Sequence, residues 1–146
     1  MTDLRGSASS NRTARILIVD DDPDQCTLLE TVLRRSGHTT VAVGDPSSAI
    51  DTLADDVFDI ALVDIGLEGM SGHDLCERVR GKKPDTVVIL ITGNGTIQAA
   101  MTALPAGTFD LLVTPLEDRL VDLAIQRALK HRALNVEVGL IRCRSA

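Results

Sequence analysis

Five short apolar runs punctuate the chain: ILIVD (16–20), TTVAV (39–43), FDIALVD (58–64), TVVILIT (86–92) and FDLLV (109–113). They have the length of strands and are rich in β-branched residues, as in strands buried on both faces of a parallel sheet. Helical patterns lie between them at about 23–36, 46–55, 72–81 and 95–105, with a last one at 117–133. Strict alternation leaves few topologies open: a parallel sheet, right-handed crossovers and helices on both faces. The expectation is a (βα)5 doubly wound α/β fold around one five-stranded parallel sheet.

Local chemistry supports these boundaries. Asp22 stands as an N-cap before Pro23, whose missing N–H costs nothing at the first helical position. Leu28, Leu29, Val32 and Leu33 recur at helical spacing, and Gly37 follows as the stop. Asp45-Pro46 opens the second helix in the same way, while Pro105 and Gly107 close the fourth. Residues 1–14, rich in Ser, Arg and Asn without periodicity, read as a disordered tail. Residues 15–132 form one domain, and 133–146 read as a C-terminal helical extension or linker. A partial apolar stripe running into it from the last helix, Leu129, Leu134, Val138 and Ile141, suits a surface helix. A signalling helix or homodimer seam is the alternative, because a coiled coil needs three or four heptads.

The 146 residues suffice for one core of ordinary size. The net charge of −6 argues against direct nucleic-acid binding, which needs clustered Lys and Arg. No apolar run is long enough to span a membrane and the N-terminus lacks the apolar centre of a signal peptide, so a cytoplasmic location is expected. Cys26, Cys76 and Cys143 lack ligand spacing and read as reduced thiols, and His38, His73 and His131 are equally scattered.

A parallel sheet of this kind binds ligands at the carboxyl ends of its strands. Asp20, Asp21 and Asp22 end the first strand, Asp64 the third, Thr92 the fourth and Thr114 the fifth. Asp20, Asp21 and Asp64 then form a carboxylate pocket whose oxygens suit Mg²⁺. Without a cation such neighbours repel one another. With it, one carboxylate can act as a nucleophile toward a phosphoryl group, and the Thr92 hydroxyl can bond a phosphoryl oxygen.

ILIVDDDP, FDIALVDIGLEGMSG, VVILITGNG and AGTFDLLVTP, in that order and each at a strand end, resemble the receiver domain of two-component response regulators, the CheY-like superfamily. The resemblance covers about residues 15–132 and implies a flavodoxin-like strand order of 2-1-3-4-5. It implies that Asp64 accepts a phosphoryl group from a histidine kinase or phosphotransfer protein. It implies that Asp21 holds Mg²⁺ directly, that Asp20 does so largely through water, and that the Gly66 carbonyl is a further ligand. Thr92 matches the hydroxyl residue that turns toward the phosphate, and Asp22 reads as a cap.

Three departures accompany the match. Thr114 stands before Pro115 where the family carries Lys, leaving a hydroxyl in place of a positive charge. Leu111 replaces the usual switch aromatic, in a chain with no Tyr or Trp. Glu68 occupies a position where proline is common. These mark an atypical receiver, chiefly a signalling domain that catalyses at most its own phosphorylation and slow dephosphorylation.

Other readings are weaker. TGNGTIQ (92–98) lacks the third glycine of a dinucleotide fingerprint and follows the fourth strand rather than the first. A Mg²⁺-dependent phosphatase needs a second acid two residues after its nucleophile, and that position is Gly66. A phosphorylation-independent pseudo-receiver acting as a protein-binding module fits the lost lysine and aromatic. Against it, mutually repelling carboxylates would have no reason to persist in one place. The resemblance also implies output through segments 95–105, 109–113 and 117–133, toward a downstream protein target or a fused effector or kinase domain.

Overall fold

The computed structural model describes residues 13–66, 72–83, 85–93 and 108–145. Strands β1 (Arg15–Val19), β2 (Thr39–Val43), β3 (Ile60–Asp64), β4 (Val87–Thr92) and β5 (Thr108–Val113) form one sheet in the order β2-β1-β3-β4-β5. Every neighbouring pair is parallel. The helices are α1 (Pro23–Arg35), α2 (Pro46–Asp55), α3 (Gly72–Lys82) and α4 (Asp118–Ser145). This is the doubly wound α/β architecture that the alternating pattern predicts. The helix expected at 95–105, its Pro105 and Gly107 ending, and Glu68 lie outside the described residues.

Alternate side chains of each strand feed opposite cores. Ile16, Ile18, Ile60, Leu62, Ile89 and Ile91 pack with Leu29, Val32 and Leu33 of α1 and with Val121, Ala124, Ile125 and Ala128 of α4. Leu17, Val19, Ala61, Val63, Val88 and Leu90 pack with Leu53, Phe58, Leu75 and Val79 on the other face. Burial on both faces explains why these strands are continuously apolar.

Two boundaries differ from the sequence expectation by more than one residue. β3 begins at Ile60 rather than at 58; just before it, Phe58 is buried in the second core and the Asp59 side chain accepts the Arg15 N–H at 2.9 Å. The last helix runs beyond 133 without a break, to Ser145.

The helix ends follow their expected caps. The Asp22 side chain accepts from the Asp24 N–H at 3.0 Å, and that of Asp45 accepts from Ser48 N at 2.6 Å. Gly37 has φ +96°, and the Gly37 and His38 N–H groups return to the Arg34 and Leu33 carbonyls, both at 3.0 Å. That is a Schellman ending, which favours glycine at this left-handed position. His38 is buried; its Nδ1 accepts the Ala14 N–H at 3.0 Å, and its Nε2 finds no partner among the described residues. Among the described residues no helix is long and apolar enough to cross a membrane.

Candidate functional site

The parallel register brings the strand exits together. A cleft of about 270 Å³ opens at the carboxyl edge of the sheet, lined by Asp20, Asp21, Asp22, Gln25, Asp64, Thr92 and Thr114, with Ile91 and Gly93. One carboxylate oxygen from each of Asp20, Asp21 and Asp64 lies within 4.8 Å of the others. The expected convergence is therefore present, and Asp22 joins it while capping α1.

The three acids sit in different surroundings. Asp20 is 2% exposed. Its Oδ1 accepts the Asp22 N–H at 2.9 Å, and its Oδ2 accepts from the Gln25 side-chain amide. Asp21 is exposed. Asp64 is half-buried, with Oδ1 accepting the Gly66 N–H at 3.1 Å. Burial pushes the Asp64 carboxyl above its ordinary range; the Gly66 N–H opposes this, and the Asp20 and Asp21 charges add to the rise. Gly66 itself lies outside the cleft lining, in the turn after β3.

Thr92 is fully buried at the end of β4, and its hydroxyl donates to the Gly93 carbonyl at 3.3 Å. Thr114 follows β5, before a cis bond to Pro115, with its hydroxyl donating to the Thr92 carbonyl at 3.4 Å. Among the described residues no Lys or Arg lines the cleft. Leu111 is elsewhere: it packs against the second core and borders a groove between β5 and α4.

The donor set fits a hard divalent cation. Three carboxylate oxygens this close are mutually repulsive without one, and Mg²⁺ typically takes one or two carboxylates directly while keeping several waters that the remaining acid can hold. The negative field extends to Cys26, whose thiol is pushed up to about 11 by burial and then by Asp20, Glu30, Asp22 and Asp21. Such a thiol stays protonated, and its Sγ donates to the Asp20 carbonyl at 3.3 Å.

Sequence reasoning overlooked Gln25. The available signal was its place three residues after the Asp22 cap, where a glutamine side chain reaches back toward the N-cap residue.

The chain matches the family model of the response regulator receiver domain over residues 16–126. It is 38% identical over 122 residues to the response regulator protein PilR of Pseudomonas aeruginosa, covering 84% of this chain and 26% of that one. The response regulator protein FleR of the same species is 36% identical over 117 residues, covering 80% and 25%. The crystal structure of NtrX from Brucella abortus superposes with a TM-score of 0.84 at 31% identity, covering 91% of this chain and 30% of that one. The chain thus spans about a quarter of the length of the curated relatives PilR and FleR.

Proposed function

The chain belongs to the response regulator receiver domain family, and on that premise we propose that it is a phospho-accepting receiver working with Mg²⁺ at Asp64. One observation carries the reading: the Asp20, Asp21 and Asp64 oxygens gathered within 4.8 Å. Asp20, Asp21 and Asp64 would hold the cation, together with the Gly66 carbonyl that the family pattern implies. When bound, Mg²⁺ supplies positive charge that offsets repulsion between the carboxylates and the incoming phosphoryl oxygens.

The Gly66 N–H donates to Asp64 Oδ1, and an oxygen of the Asp64 carboxylate acts as the nucleophile. It forms an O–P bond as the N–P bond of a kinase or phosphotransfer-protein phosphohistidine breaks. The imidazole nitrogen leaves with the bonding pair and takes up a proton. Thr92 donates its hydroxyl to a phosphoryl oxygen, and Thr114 adds a neutral donor where a lysine would add charge. Water later hydrolyses the acyl phosphate slowly.

Signalling then passes through a protein surface that includes β5 and α4, to a downstream target or to an effector or kinase domain fused to the receiver, in the cytoplasm. The test is intact-mass analysis after incubation with acetyl phosphate and Mg²⁺. Wild type gains one phosphoryl group and Asp64→Asn gains none. A folded wild type that stays unlabelled favours the second reading, a pseudo-receiver that binds proteins without phosphorylation. That reading is supported by Thr114 at the lysine position and Leu111 at the aromatic one.

A further inference from the structure

Resting on the magnesium reading above, we infer that Gln25 is a positioning residue for the cation, its carboxamide holding Asp20 in the orientation that metal binding requires. Gln25 lies three residues after the N-cap Asp22, on the first turn of α1. A glutamine there ordinarily returns to the N–H of the capping residue, the reciprocal half of a capping box. In this chain that N–H is already taken, because Asp22 N donates to Asp20 Oδ1 at 2.9 Å. The Gln25 amide goes instead to the other oxygen, Asp20 Oδ2.

Asp20 is thereby gripped by one N–H donor on each oxygen while only 2% of its surface is exposed. A buried carboxylate without such partners is costly. Rotating the side chain breaks one bond or both, so the carboxylate plane is fixed before any cation arrives. Each oxygen keeps a second lone pair for the metal or for its water.

A neutral amide suits this position. A lysine would compete with Mg²⁺ for the carboxylate, and a glutamate would repel it. No Lys or Arg lines the cleft among the described residues, and segments 67–71 and 94–107 contain neither residue. Among the described residues Asp20 is supported by dipoles, and Gln25 supplies one of the two.

The experiment compares wild type with Gln25→Met, of similar length without the donor, and with Gln25→Glu, of the same shape with a negative charge. The chain has no Trp or Tyr, so Mg²⁺ affinity is read by calorimetry or by NMR of ¹⁵N-labelled protein. Hydrogen-bond partners of metal ligands are commonly worth about 10–100-fold in affinity, and Gln25→Met is expected to lose about tenfold and Gln25→Glu at least as much. The Mg²⁺ concentration giving half-maximal labelling by acetyl phosphate rises in step, while the rate at saturating Mg²⁺ stays within about twofold, the split expected when only binding is lost. In metal-free wild type, the Gln25 side-chain amide resonance moves on Asp20→Asn.

Folded variants that bind Mg²⁺ like wild type overturn the inference. So does an amide resonance that Asp20→Asn leaves unmoved, a result that needs no substitution at 25. Wild-type protein that fails to bind Mg²⁺ overturns the underlying magnesium reading itself, which keeps the two failures distinct.

Discussion

The carbonyl oxygen of Thr92 accepts two hydrogen bonds from Thr114, one from its N–H at 2.9 Å and one from its hydroxyl at 3.4 Å. The ends of β4 and β5 are joined beside the carboxylates without any charge. Thr114→Lys would bring an ammonium toward Asp20, Asp21 and Asp64, and opposite charges within about 4–6 Å attract. The metal-free protein is expected to gain about 1 kcal/mol, roughly 2–4 °C in Tm for a chain of this size. Mg²⁺ binding weakens several-fold, because both cations seek the same oxygens. Calorimetric melting and a Mg²⁺ titration check this; no change in either would place residue 114 out of reach of the acids.

Asp21 and Asp22 separate ligand from cap. Asp22→Ala removes the bond to the Asp24 N–H and is expected to cost about 1 kcal/mol of stability. Asp21→Ala is expected to weaken Mg²⁺ binding more than Asp22→Ala does. Equal losses of affinity in the two variants would reject this division of roles.

Asp64 carries a cost in the metal-free state, from burial and from the Asp20 and Asp21 charges. Asp64→Asn removes the charge and keeps the shape, and is expected to raise stability by on the order of 1 kcal/mol without Mg²⁺. Adding Mg²⁺ should narrow the difference, since a ligand that binds only the folded state stabilises it. A lower metal-free Tm for Asp64→Asn in thermal melts would contradict the repulsion.

His38 makes stability depend on pH. Burial holds its ring below the ordinary value of 6.5, against the pull of Asp122 and Asp59. The unfolded chain therefore takes up this proton more readily than the folded one. The contribution is complete above pH 6.5 and declines as pH falls through it. Protonation puts a hydrogen on Nδ1, which can then no longer accept the Ala14 N–H. Between about pH 7.5 and about pH 5.5, wild-type Tm should fall more steeply than that of His38→Gln, whose side-chain oxygen can accept without titrating. Parallel slopes would reject the assignment.

Much of this was legible in the sequence because it follows from short-range chemistry repeated along the chain. Asp22-Pro23 and Gly37 mark helix ends through their own backbone preferences. The gathering of Asp20, Asp21, Asp64, Thr92 and Thr114 follows once the sheet is parallel, since all strand exits then share one edge. Gln25 escaped notice because its bond runs backward from a helix to a strand end, where no short-range spacing marks it. His38 escaped because burial of a lone imidazole against the start of β1 leaves no periodic trace. The length of the last helix was equally hard to bound, since Asn135 and Gly139 interrupt its apolar stripe without ending the backbone pattern.

That last helix has a mechanical consequence. On α4 the buried Val121, Ala124, Ile125, Ala128 and Leu129 are followed by Arg132, which donates to the Asp85 carbonyl at 2.9 Å and pairs with Asp59 at 3.1 Å, and the backbone continues helically to Ser145. At a rise of about 1.5 Å per residue, the helical backbone runs on for about 20 Å past Arg132. A tilt of about 10° at that point would displace the far end of the axis by about 3 Å. Any small change of helix direction at Arg132 is therefore magnified along the axis toward Ser145.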